Sequence, residues 1–286
     1  MTGGEAARVS GLLRVAGGLA RACHPGPTVA VTSLVTALAV ASGRDAAGCA
    51  LVAAAVLTGQ LSVGWCNDAV DARLDVAAGR SGKPIVDGVV GARTVRNAAF
   101  AALLLCVPLS LASGLLAGAA HLIGVGAAWA YDLGVKATIW SWLPYAVGFG
   151  SLPAFVTLGL PGHPWPAWWA VAAGALLGCG AHLANVLPDI PHDLAAGVRG
   201  WPQRLGAERT RLLAPLPLLA ATWLLVFAPP GDAGAAGWLA VAVTGVMVVA
   251  GTLLHGRAAR APFAAAIGVA AVGVLVLLAN GPALTA

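Results

Sequence analysis

Residues 46–75 read AAGCALVAAAVLTGQLSVGWCNDAVDARLD, and their reading decides the fold. From Ala46 to Cys66 no side chain is charged; then Asn67, Asp68, Asp71, Arg73 and Asp75 arrive within nine residues. Roughly 20 apolar residues cross the hydrocarbon core of a bilayer. The stretch therefore predicts a membrane helix that emerges at its end into a cluster of acids. The rest of the chain agrees. Of 286 residues 59% are hydrophobic and 9% charged, with mean hydropathy +0.86, which points to a membrane protein rather than a soluble domain. The 38 Gly and 18 Pro lie inside Ala/Leu/Val runs, where membrane helices tolerate both, so the chain is not low-complexity. Sixteen Lys and Arg give a net charge of only +5 without a basic stripe, which argues against nucleic acid as a partner. The five cysteines are scattered without a C-x-x-C pair and read as small core residues. Arg8 and Arg14 are not followed by a cleavable apolar segment, so no removable signal peptide is expected.

Uninterrupted apolar stretches run over 27–41, 46–66, 98–111, 114–130, 142–160, 165–187, 212–228, 235–254 and 262–279. The expected fold is all-α: a polytopic membrane protein with nine transmembrane helices in one bundle. Residues 1–26 form a cytoplasmic N-terminal segment, and residues 27–286 form the membrane domain. Charge supports the count. With nine spans, fifteen of the sixteen basic residues fall on the side of the N-terminus, and only Arg44 on the other. The positive-inside rule then puts the N-terminus in the cytoplasm. Trp165, Trp168 and Trp169 read as an interfacial belt on the outer face, and Gly174-x-x-x-Gly178 as a close helix contact.

The chemistry concentrates in the cytoplasmic loops. Asn67-x-x-x-Asp71-x-x-x-Asp75, with Asp68 added, follows span two; Asn185-x-x-x-Asp189-x-x-x-Asp193 follows span six. Steps of four place each set along one helical face, and the two acidic ends are expected to converge across the bundle. Carboxylates gathered this way repel, so a cation must offset them. Hard oxygen ligands suit Mg²⁺, which binds through one or two carboxylates together with substrate phosphate oxygens. Arg73, Arg80 and Lys83 beside the first acidic set fit a polyanionic substrate. An ion-coupled transporter would use intramembrane acids too, but near the midplane on broken helices rather than at helix ends.

With these motifs the sequence resembles the UbiA-type intramembrane prenyltransferases. Asn67-Asp68-Ala69-Val70-Asp71-Ala72-Arg73-Leu74-Asp75 matches the N-D-x-x-D-x-x-x-D motif of that superfamily, and Asp189-Ile190-Pro191-His192-Asp193 matches its second D-x-x-x-D. The resemblance implies an isoprenyl diphosphate donor held through Mg²⁺ by Asp68, Asp71, Asp75, Asp189 and Asp193, the expected catalytic and metal residues. It also implies that Tyr131 and Lys136 contact the diphosphate. Arg80-Ser81-Gly82-Lys83-Pro84 and Gly197-Val198-Arg199-Gly200 are similar to the segments after the two motifs, which adds Lys83 and Arg199. Asn67, Asn185, Arg73 and Arg21 complete the expected substrate-binding set, with Arg21 a candidate at the acceptor. Asp132, beside Tyr131, departs from the pattern.

Chemistry explains why such a site suits the reaction. Loss of diphosphate from an allylic carbon leaves a delocalised cation, so catalysis needs cationic groups on the leaving group and a pocket that excludes water. The Arg-Pro pair of enzymes that act on aromatic acids is absent, so a neutral acceptor, or none, is expected. His24, His182 and His192 flank the site, with structural roles expected for the last two. The expected function is Mg²⁺-dependent prenyl transfer to an unidentified hydrophobic or aromatic acceptor within the lipid bilayer. Cyclisation of the donor without an acceptor, or a noncatalytic carrier or transporter, are the alternatives.

Overall fold

The computed structural model describes residues 3–77, 79, 81–254 and 261–285, and their side chains except those of residues 3, 4, 6–9, 262 and 263. Arg80, Arg257 and Arg260, and the side chain of Arg8, lie outside the described residues, so their part in the sidedness argument does too. The described elements are helical throughout, apart from one antiparallel bridge between Pro166 and Thr285.

An N-terminal helix, α1 (Gly3–Ala22), precedes the membrane domain. His24 in a left-handed conformation turns the chain, and Pro25 starts α2 (Pro25–Ala41) at the first-turn position where its missing N–H costs nothing. The two helices meet at 67°. Next, α3 (Ala46–Ala77) runs 32 residues, about 48 Å at ~1.5 Å per residue, against a hydrocarbon core of ~30 Å. Its last turns, which carry the first acidic motif, therefore extend beyond the apolar slab. Then come α4 (Ala92–Leu111) and α5 (Leu115–Leu133), separated by a tight turn in which Gly114 takes φ +112°. Side chains other than glycine rarely adopt that conformation, and so the two stay separate helices. Gly134 (φ 149°) ends α5 and turns Lys136 onto a short 3₁₀ turn, Val135–Ala137.

Prolines shape the middle of the chain. Pro144 and Pro153 sit at the starts of α6 (Leu143–Gly150) and α7 (Leu152–Thr157). α8 (Trp168–Val186) passes through a 3₁₀ turn, Leu187–Asp189, into α9 (Ile190–Ala195), with Pro188 and Pro191 removing the amide donors a continuous helix needs. The second motif is thus not one unbroken helical face, as its spacing suggested; it bends between Asn185 and Asp193. Short α10 (Trp201–Leu205) and α11 (Ala207–Leu213) lead into α12 (Pro215–Phe227), followed by α13 (Gly234–Leu253) and α14 (Ala261–Ala279).

Each of the nine apolar stretches lies largely within helix, but nine crossings are not confirmed. Among the described residues five helices are long and apolar enough to cross, or six if the bent pair Ser10–Ala22 and Pro25–Ala41 counts as one. Leu143–Thr157 and Ala264–Ala279 are shorter apolar helices. Prolines and turns shorten elements that composition alone makes look continuous.

The helices close a ring. α2 packs on α3, α3 on α4 and α5, α5 on α6 and α7, α6 on α8, α8 on α12, α12 on α14, and α14 returns to α2. The main core, with Leu38, Val52, Phe155, Leu177, Leu218 and Leu284, joins these walls. Lipid tails are as apolar as leucine, so close packing rather than hydrophobic exclusion must hold such helices together. Gly174 and Gly178 do this on α8: a Cβ at Gly174 would sit 2.7 Å from the Phe149 carbonyl, and one at Gly178 would collide with the Tyr145 carbonyl. Leu104, Leu115, Val246, Leu253 and Leu275 are exposed on the outside, which suits lipid and not water. The chain is an integral membrane protein. Trp165 and Trp168 are exposed as a belt requires, but Trp169 is only 3% exposed and belongs to the core, because adjacent helical residues point ~100° apart.

Candidate active site

The ring encloses a cavity of about 1320 Å³, larger than the ~300–1,000 Å³ of common small-molecule pockets. Its mouth is polar and its depth apolar, with Val31, Val56, Val125, Phe149, Leu152 and Ile267 on the inner walls. All five predicted aspartates line it, as do Asn67, Asn185, Tyr131, Lys83, Lys136 and Arg21. Residues from α3, α5, α8, α9 and two loops therefore meet in one chamber.

Cations already neutralise the first motif. Asp68 is buried at 2% exposure; Lys83 Nζ donates to its Oδ1 at 2.5 Å, and His24 Nε2 lies 3.2 Å from the same oxygen. Lys83 also lies 3.5 Å from Asp75, while Lys136 pairs with Asp71. Burial alone would lower the Lys83 pKa, but the hydrogen bond to Asp68 and the charges of Asp68, Asp75 and Asp71 together hold it above the ordinary lysine value. In the second motif, Gln203 Nε2 donates to Asp193 Oδ2 at 2.8 Å, and Asn185 Nδ2 donates to the Tyr145 hydroxyl at 3.2 Å.

Among the described residues no three His, Cys, Asp or Glu side chains converge closely enough to hold a metal by themselves. The five carboxylates share a cavity without closing into the cluster expected from sequence, and Lys83 and Lys136 occupy the first motif instead. The donor set still fits Mg²⁺, which needs only one or two carboxylates when phosphate oxygens complete its shell. Asp68, Asp71 and Asp75 on one wall, with Asp189 and Asp193 on the other, would hold it that way.

Two expected residues are not brought to the site. Arg73 and Arg199 are exposed and do not line the cavity. Arg73 lies two positions from Asp71 on α3, ~200° round the helix, so the face that aims the acids inward aims Arg73 away. Arg21 reaches the rim, but as a clasp: its Nη2 donates to the Gly82 carbonyl at 2.9 Å and lies 3.3 Å from Asp87 Oδ2, while Asp87 Oδ1 accepts the Gly82 N–H at 3.1 Å. The clasp fixes the backbone next to Lys83.

Sequence reasoning missed Tyr145, gave Asp132 no role, and expected a structural role for His182. Tyr145 stacks edge-on to Tyr131 with ring centres 5.2 Å apart, and His182 lies behind both at 4.9 and 5.7 Å. His182 is buried and its Nε2 meets Ser141 Oγ at 3.1 Å, so it braces the aromatic wall. Asp132 is 3% exposed and accepts a 2.9 Å hydrogen bond from Asn67 Nδ2. The one available signal was its position beside Tyr131.

A closed ring of membrane helices, with two aspartate-rich segments and two lysines lining one chamber, defines a class of intramembrane helical protein with a charged, partly apolar chamber. The chain belongs to the UbiA prenyltransferase family, whose sequence profile matches residues 28–267. No curated protein matches the sequence. Solved structures share the fold at low identity. A UbiA homologue from Aeropyrum pernix K1 is 19% identical with a TM-score of 0.68, covering 87% of this chain and 97% of that one. A homologue from Archaeoglobus fulgidus bound to GPP and Mg²⁺ is 16% identical at 0.67, over 92% and 98%. A digeranylgeranylglyceryl phosphate synthase is 13% identical at 0.69, over 93% and 98%.

Proposed function

We propose that the protein transfers a prenyl group from an isoprenyl diphosphate to a hydrophobic acceptor within the membrane, with Mg²⁺, at an active site facing the cytoplasm. The observation that carries this reading is the pairing of Lys83 and Lys136 with the first-motif aspartates at the mouth of a chamber whose depth is apolar. A diphosphate suits the mouth, and a prenyl tail suits the depth. The solved homologue bound to GPP and Mg²⁺ supports the same assignment.

Each residue has a task in that reaction. Mg²⁺, when bound, supplies charge that neutralises the departing diphosphate. Asp71 and Asp189 lie on the two sides that would hold it. Lys136 and Lys83 exchange an aspartate for a phosphate oxygen, which keeps each ammonium paired as the substrate enters. Tyr131 and Tyr145 present aromatic surface near the carbon that becomes cationic, and ring faces attract cations without attacking them. The apolar walls exclude the water that would otherwise capture the cation.

The test is release of diphosphate from geranyl diphosphate by purified protein, with products identified by mass spectrometry. Release should need Mg²⁺ and disappear in excess EDTA. Asp71→Asn and Asp189→Asn should each abolish it while the protein stays folded. Full activity in either variant, or in EDTA, would remove the metal mechanism. A cyclic product formed without acceptor would replace transfer by cyclisation, and absence of release under every condition would favour a carrier.

A further inference from the structure

Two polar side chains interrupt the apolar depth of the chamber. His121 lines it from α5, eleven residues before Asp132, and so lies about 16 Å further from the mouth at ~1.5 Å per residue. It is 4% exposed, and its ring stacks on Phe155 with centres 4.5 Å apart, which fixes the ring plane. Nδ1 lies 2.8 Å from Ser110 Oγ, a buried hydroxyl that already donates its proton to the Cys106 carbonyl at 2.6 Å. Ser110 can therefore only accept from the ring, so the imidazole proton sits on Nδ1 and Nε2 carries a lone pair. Nε2 has no hydrogen-bond partner among the described residues, and unlike His182 Nδ1 it is not sealed by packing. Its open surface faces the chamber that His121 lines. Gln60 lines the same chamber from α3, seven residues and about 10 Å inward from Asn67, whose hydrogen bond to Asp132 sets α3 and α5 level. The Gln60 amide likewise has no partner among the described residues and is not sealed. The two groups are neighbours across the helix seam, since a Cβ at Gly59 would lie 3.4 Å from His121 Cε1.

We propose that Gln60 and His121 form a subsite at the inner end of the chamber for an uncharged hydroxyl group carried on the apolar end of a ligand. The inference deepens the proposed prenyl transfer and rests on it only for what occupies the mouth. Polar side chains at membrane depth are rare and costly unless something pairs them, and a plain hydrocarbon tail pairs neither. A carboxylate or carbonyl oxygen would meet the Nε2 lone pair with no proton to share. A hydroxyl suits both groups, donating to Nε2 and either donating to or accepting from the Gln60 amide. The hydroxyl has two possible sources, the far end of the prenyl donor's tail or a neutral acceptor.

Binding is measured by calorimetry on full-length protein in lipid nanodiscs with Mg²⁺, against empty nanodiscs. The probes are geranyl and farnesyl S-thiolodiphosphate, slow to ionise, each beside its form hydroxylated at the terminal carbon. 2-Naphthol beside naphthalene makes the neutral pair. In wild type the hydroxylated member of at least one pair should bind about 3- to 10-fold tighter, the usual effect of one hydrogen bond between uncharged groups. A preference among the thiolodiphosphates assigns the subsite to the donor's tail; one in the neutral pair assigns it to an acceptor. His121→Phe keeps the stack on Phe155 and removes the lone pair, and Gln60→Met keeps the length and removes the amide. Each should shrink the preference while the plain member binds no worse. Equal binding within every pair would overturn the proposal, as would a preference that persists unchanged in both variants. Tm in detergent reports whether each variant folds; if His121→Phe does not, Gln60→Met decides alone. If neither plain thiolodiphosphate binds, the prenyl diphosphate reading fails, and the neutral pair still decides the subsite.

Discussion

Arg21 and Asp87 hold the Gly82 backbone beside Lys83. The pair is half-exposed, with Arg21 at 53% and Asp87 at 30% side-chain exposure, so solvent screens it and its worth to folding is ~0–1 kcal/mol. Its effect is local: it pins the Gly82 backbone, and Gly82 precedes the lysine that bridges Asp68 and Asp75. Arg21→Ala should therefore leave thermal stability almost unchanged and raise KM for the prenyl diphosphate several-fold. The exchanged double variant Arg21→Asp with Asp87→Arg should restore much of the loss. A KM unchanged in Arg21→Ala, measured alongside Tm, would show that the clasp does not steer Lys83. Lys83 also has a defined pH behaviour. Its folded pKa stands above the ordinary value, so its ion pairs contribute fully below the ordinary lysine pKa and fade as pH rises through the raised one. The aspartate spacing of the first motif could be read directly because those residues lie on one continuous helix. The Asn67–Asp132, His24–Asp68 and Asn185–Tyr145 contacts could not, since they join residues 65, 44 and 40 positions apart. Nothing in the local pattern distinguishes such partners from any other polar residue.

At the scale of helices, the contact of α8 with α6 sets the far wall of the chamber. Gly178 lies against the Tyr145 carbonyl, and Tyr145 in turn meets Asn185 and Tyr131. Gly178→Leu should overpack this seam at a cost of ~1–3 kcal/mol or more, seen as a lower unfolding temperature in detergent, and should reduce activity further by moving Tyr145. Gly126→Ala on α5 is the matched control: nothing lies within 4 Å of the added carbon, and a helix gains ~0.5–1 kcal/mol from the change. Equal stability in the two variants would show that the seam does not hold this wall. The Gly174-x-x-x-Gly178 spacing announced this contact, because small residues four apart on one face permit only close approach. The bend in the second motif was legible too, in Pro188 and Pro191, but regular steps of four obscured it. Helix ends were less readable. Composition did not show where Pro153 breaks the run 142–160, and the nine crossings exceeded what the described helices support.

For the whole molecule, the distribution of basic residues makes a definite expectation of its orientation in the membrane. In a background without the native cysteines, Ala195→Cys and Asp232→Cys place exposed thiols on opposite sides if the acidic motifs face the cytoplasm. An impermeant maleimide added to intact cells should label the second and spare the first; the reverse pattern would invert the assignment. The overall architecture was readable because hydropathy and the side bias of arginine act along the whole chain. The circular arrangement was not, because it depends on α14 meeting α2, two helices at opposite ends of the domain. That seam also bears on how the protein comes into being. Ile267 of α14 forms part of the chamber wall, so both acidic motifs leave the ribosome long before the compartment they serve exists. Without α14 against α2 the ring has a gap beside the acids. The chamber is therefore closed by a seam between helices far apart in the chain, and its wall is whole only where α14 has docked against α2.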